Sequence, residues 1–175
     1  ERPDIVNKIS LQILNPNNLE KCSPADVSIL LEEIVNLILE EKEKEKEEED
    51  FIGQLVTVAI VIIENRIGRV HPAAMGKIWY MAKKSNCDGI CDSIEDTHKD
   101  KKHIVFGQAL FCAVVNGDWG IVEELLGKEK IECSPDEFNS MLKSIATVPV
   151  RKAAILENIL QRIKTMDCKK QVRCL

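Results

Sequence analysis

Aromatic side chains are scarce in this chain: one Tyr, two Trp and four Phe, 4% of 175 residues. Strand-rich domains draw on Thr, Tyr and Trp, so the scarcity argues against a sheet protein. Basic residues do not dominate either. Lys and Arg number 24 against 29 Asp and Glu, a net charge of −5, which leaves no bulk excess for neutralising phosphates. Only short basic stretches remain, at Lys99–Lys102 and Lys169–Arg173. Long apolar runs are missing as well: LVTVAIVII at 55–63 meets Glu64, far short of the ~20 residues a membrane span requires. Neither a G-x-S-x-G nucleophile elbow nor a glycine-rich phosphate loop occurs, and the close glycine pair in Gly117-Asp118-Trp119-Gly120 reads as a hairpin turn.

What is present favours helices. Hydrophobic residues make up 45% and charged residues 30%, which excludes wholesale disorder and permits a buried core. In residues 4–14, Ile5, Ile9 and Ile13/Leu14 recur one turn apart, predicting a short amphipathic helix. Pro16 and the asparagines around it end it. Ser23 with Pro24 behind it is an N-cap and first-turn signal, and Val27, Leu30, Leu31, Ile34, Leu37 and Ile38 then share one face. EEKEKEKEEED at 40–50 has nothing to bury and reads as a solvated helix end running into a flexible acidic linker. The stretch from Phe51 to Asn65 is apolar almost all round. Its β-branched residues could suit a strand, but its length and the lack of a matching second strand favour a helix in the middle of the packing.

Beyond Pro72 the chain divides into three blocks of equal length, 72–103, 104–135 and 136–167. Apolar positions coincide at Ile78/Leu110/Leu142, Met81/Ala113/Ile145 and Ala82/Val114/Ala146, with a breaker column at Ser85/Gly117/Pro149 and Ile90/Val122/Ala154 behind it. Each block reads as helix, turn, helix. The stretch from GDWGIVEELL to SPDEFNSMLKSI resembles the pentatricopeptide and tetratricopeptide helical-hairpin families. Phe138, Asn139, Ser140, Met141 and Leu142 match the opening of a pentatricopeptide copy, and Gly117, Asp118, Val122, Leu125 and Leu126 match the preceding turn and second helix. The resemblance covers residues 104–167 best. Its first block lacks the glycine turn, and the blocks are shorter than the family period. It implies an all-α fold of antiparallel hairpins stacked as a short α-solenoid over 71–175. An N-terminal helical portion at 1–70 precedes the hairpins in one continuous domain. Stacking follows because a lone hairpin leaves an apolar face uncovered.

The chemistry-bearing residues are few. Seven cysteines, odd in number and scattered, argue against a disulfide framework and for an intracellular setting in cytoplasm or nucleus. Cys112 reads as a small buried hydrophobe. Cys174, second from the end, does not fit a prenylation signal. Cys87, Cys91, His98 and His103 are the ligand types zinc prefers, but the six residues between the halves are too few for a two-Cys two-His finger, so packing of the cysteines is expected instead. The acids from Asp88 to Asp100 lack the alternation and sixth-position glycine of a calcium loop. No cofactor is expected. By the pentatricopeptide resemblance, base-reading positions would fall on Gly76, Gln108 and Ser140, of which only Ser140 looks like a reader. The expectation is therefore a non-catalytic scaffold binding a protein partner, with single-stranded RNA binding as the alternative and with no role in a membrane. Self-association through the apolar helix at 51–66 is open. Trp79, Tyr80, Phe106, Phe111 and Trp119 are the candidate anchors wherever they are exposed.

Overall fold

The computed structural model describes residues 21–42, 49–66, 70–128, 130–146, 157–159 and 161. Every regular element among them is helical: α1 (Pro24–Lys42), α2 (Glu49–Arg66), α3 (Pro72–Lys84), α4 (Asp88–Thr97), a 3₁₀ turn (Lys99–Lys101), α5 (Lys102–Asn116), α6 (Trp119–Leu126) and α7 (Pro135–Ala146). The expected helix at 4–14 and the column positions Pro149 and Ala154 lie outside the described residues, as do Cys168 and Cys174.

The helices start where local chemistry dictates. Ser23 caps α1 through a reciprocal box: its Oγ accepts the Asp26 N–H at 3.2 Å, and its own N–H reaches Asp26 Oδ2 at 3.0 Å. Ser134 and Glu137 repeat the arrangement at α7, with distances of 2.7 and 3.3 Å. His71 caps α3 through Nδ1, which accepts the Ala73 N–H at 3.3 Å. A proline follows each cap (Pro24, Pro72, Pro135), where a missing N–H costs nothing and the fixed φ suits the helix.

The ends are equally local. Gly117 takes φ +73°, its N–H bonding to Val114 O at 3.2 Å while the Asp118 N–H reaches back to Ala113 O at 2.9 Å. Asn86, at φ 52°, closes α3 in the same way: its N–H meets Lys83 O at 3.0 Å, and the Cys87 N–H meets Ala82 O at 2.9 Å. Both are Schellman closures, which require a left-handed residue. The left-handed break therefore falls at Asn86, not at the Ser85 of the sequence alignment, and the step from the first to the second unit is one residue shorter than the blocks imply.

The β-branched stretch of α2 is helical, and its buried residues keep helical spacing along one face: Leu55, Val58, Ala59, Ile62 and Ile63 lie in the core, while Gln54, Thr57, Glu64 and Asn65 are exposed. The described residues of the acidic segment are helical. α1 runs on to Lys42 and α2 begins at Glu49, and Lys42 is tied down, its ammonium donating to Ser85 O at 2.6 Å beyond the end of α3.

Packing follows a simple order. α1 lies on α3, α3 on α5 and α5 on α7, while α2, α4 and α6 cover α1, α3 and α5 respectively and α2 also meets α4. One cluster of buried apolar side chains runs through all these helices, from Val27 to Ile145 and Ile159. Two glycines permit close backbone approaches, one between α3 and α5 and one between α5 and the connection into α7. A methyl on Gly76 would land on Val105 O and stand 2.6 Å from Gln108 Cβ; one on Gly107 would land on Glu132 O, 2.6 Å from the Glu132 carbonyl carbon. Among the described residues no helix is long and apolar enough to cross a membrane.

Candidate functional site

Three of the five candidate anchors are interior. Trp79 is 1% exposed, and Tyr80 and Phe106 are buried with it. The Trp79 and Phe106 rings meet edge to face, centroids 5.8 Å apart, within the joint between α3 and α5. Helices flanked by neighbours on both sides and covered from below have little free face, so their largest apolar side chains fill the core. Phe111 and Trp119 differ. Both are half-buried and pack against the margin of the core, leaving part of each ring accessible.

The Cys/His set does not assemble. Among the described residues no three His, Cys, Asp or Glu side chains are grouped to hold a metal ion. Cys91 Sγ points to Trp79 O at 3.6 Å and Cys87 Sγ to Ser85 O at 3.6 Å. His98 is buried at the end of α4, whereas His103 Nε2 stands 3.4 Å from Glu132 Oε2. Two turns of helix separate Cys91 from His98, which is why good ligand types fail to meet. Burial raises the thiol pKa of Cys87, Cys91 and Cys112 and pushes Cys133 up to about 12, so these sulfurs stay protonated and unreactive near neutrality.

Exposed and half-buried side chains of α1, α3 and α5 give these helices a mixed polar-and-apolar outer face. Lys77 of α3 pairs with Glu32 of α1 at 2.5 Å. Gln108 Nε2 donates to Cys112 Sγ at 3.7 Å on α5, and Lys77, Glu137 and Glu32 all act on the Cys112 thiol, so charges from α3, α7 and α1 lie within electrostatic reach of it. Cys112 is thus half-buried at this face rather than fully interior. Phe111 lies beside it, and Val115, one turn on, is 47% exposed; on α1, Ile29 is 60% exposed one turn before Glu32. The base-reading positions differ here. Gly76 is pressed against the α5 backbone with the Gln108 Cβ beside it, and the Gln108 and Ser140 side chains are both half-buried.

Two charged clusters escaped the sequence reading. Glu95 accepts the Trp79 indole N–H at 3.1 Å and meets Lys128 at 3.4 Å and Lys102 at 3.5 Å. The Lys128 ammonium also lies 5.0 Å from the Phe106 ring centroid and 5.8 Å from that of Trp79, a cation seated on two aromatic rings. At the other end of the helices the Tyr80 hydroxyl donates to Asp118, which also holds Lys84 at 3.3 Å, and Lys83 spans Asp88 at 2.9 Å and Glu124 at 3.1 Å. Burial, with Asp118 beside it, raises the Tyr80 pKa and keeps the phenol neutral. These groups knit neighbouring helices. Their one advance signal is positional: basic residues end α3, and acids stand at the starts of α4 and α6, as helix dipoles favour.

Comparison with protein-family models, with curated proteins and with solved structures gave no match in any of the three.

Proposed function

We propose that the chain is a non-catalytic array of antiparallel helical hairpins, stacked as a short solenoid, that holds a protein partner on the outer face of α1, α3, α5 and α7. The observation that supports this reading is the packing order: α1, α3, α5 and α7 pack in succession, and α2, α4 and α6 each pack on the helix before them. An array of that kind presents a long side to solvent. The face it leaves mixes exposed Ile29 and Val115 and half-buried Phe111 with the Glu32–Lys77 pair and Glu137, the apolar-centre, polar-rim composition of protein interfaces. The protonated thiols and neutral Tyr80 support a binding role over nucleophilic catalysis.

Photo-crosslinking tests the reading. A crosslinking residue at Phe111 or Val115 is expected to capture a reproducible protein partner, and one at the exposed Gln54 of α2 is expected not to. Val115→Asp should abolish that capture while helicity is kept. Equal capture from α2, or none from α5, overturns the proposal. Retention of single-stranded RNA at low salt, lost steeply as salt rises, would instead favour the RNA-binding expectation.

A further inference from the structure

We propose that His98 makes the joint between α4 and α5 acid-labile: the joint closes around a neutral imidazole and opens when that ring takes a proton. His98 follows the last residue of α4 and is 7% exposed, with Nε2 buried and no hydrogen-bond partner among the described residues. Its backbone is held at the start of the 3₁₀ turn that leads into α5, the N–H on Ile94 O at 3.0 Å and the C=O accepting the Lys101 N–H at 2.8 Å.

A helix C-terminus ordinarily welcomes a cation through its free carbonyls. Here Thr97 Oγ1 takes up part of that capacity, donating to Ser93 O and, at 3.3 Å, to Ile94 O, which also receives the His98 N–H. Among the described residues no carboxylate acts on the ring as a counter-ion. On α4, Glu95 is held by Trp79, Lys102 and Lys128, Asp96 lies 3.6 Å from Lys99, Asp88 is taken by Lys83, and Asp92 is exposed. In the 3₁₀ turn Asp100 is exposed; on α2 Glu49, Asp50 and Glu64 are exposed; on α3 the charges are Lys77, Lys83 and Lys84, each paired elsewhere; beside α5, Glu132 is held by His103. The charge that does act on His98 is Lys101, of the wrong sign for pairing.

Burial first, and Lys101 second, hold the His98 pKa below the ordinary histidine value. The folded joint therefore binds fewer protons than the open one. Its closure is fully supported above the open-state value of about 6.5 and is lost as pH falls from there towards the folded value. Within that window the open population grows by up to about tenfold per pH unit.

NMR titration of the imidazole signals in the full chain, with His98 assigned from the signal missing in His98→Gln, tests this directly. The expected midpoint is below about 6.5. Amide exchange at residues 98–102, corrected for intrinsic rate, is expected to accelerate between about pH 7 and pH 5 in the wild type and not in His98→Gln. A His98 midpoint at or above the ordinary value, or equal acid opening in the variant, overturns the proposal; should the variant fail to fold, the wild-type midpoint decides alone.

Discussion

Helices α3 and α5 reach the same buried state with different materials. α3 fills its surroundings with Met75, Ile78, Trp79 and Met81, whereas α5 relies on Ala109, Leu110, Ala113 and Val114. Their backbones nevertheless meet the same demands at matching places. Gly76 and Gly107 each admit a neighbouring carbonyl, and Asn86 and Gly117 each close their helix in the left-handed region. The distance along the chain between the two glycines equals that between the two closures. Side-chain volume can be redistributed among neighbours, but a backbone approach leaves no room for a Cβ and a Schellman closure requires positive φ. Register in these two units is thus carried by backbone events more than by the apolar columns.

The comparison can be broken first at its largest side chain. Trp79→Ala removes an indole that packs on Phe106 and serves Glu95, and it is expected to cost about 3–5 kcal/mol in urea unfolding. Leu110→Ala is expected to fall in the range of about 2–5 kcal/mol and to leave the Glu95 cluster intact. A loss at Leu110 exceeding that at Trp79 would contradict the different filling of the two units.

A smaller effect is expected at the two close approaches. Gly107→Ala meets backbone atoms of Glu132 that belong to the connection into α7, and Gly76→Ala meets Val105 O together with the Gln108 side chain. Both should lower the thermal midpoint through overpacking worth about 1–3 kcal/mol, with Gly107 at the upper end because carbonyl oxygen and carbon are both in the way. The smallest expected change sharpens the comparison at the helix ends. Gly117→Ala should destabilise by about 1 kcal/mol, while Asn86→Gly, which relaxes a side chain held at positive φ, should stabilise by about 0.5 kcal/mol. Parallel denaturant titrations of the two variants would show it; the same sign in both would mean that the closures are not equivalent.

How much of this was readable from residue order depends on the range of the interaction. The start of α1 was legible because Ser23, Pro24 and Asp26 act within a single turn, and α2 was legible as a helix from its length despite its β-branched residues. The end of α3 was misplaced by one residue, since Ser85 and Asn86 are both plausible breakers and only the bonds to Lys83 O and Ala82 O tell them apart. The anchors were harder still. A Trp at a helical position carries no mark of whether its face meets another helix, and only the arrival of α5 and Lys128 made Trp79 interior. The set around Cys112 was invisible for the same reason: Glu32, Lys77, Cys112 and Glu137 are separated by long stretches of chain and come within reach of one another because α1, α3, α5 and α7 pack in succession.

Residue order by itself settled the helical character of the described chain and most of its caps, because both rest on contacts between residues three or four positions apart. Only the tertiary structure decided which aromatic rings are covered, which cysteines and histidines stay apart, and that His98 Nε2 is buried with no hydrogen-bond partner among the described residues. Those outcomes depend on which helix lies against which, and that is fixed by the summed burial of many side chains far apart in the chain rather than by any local pattern.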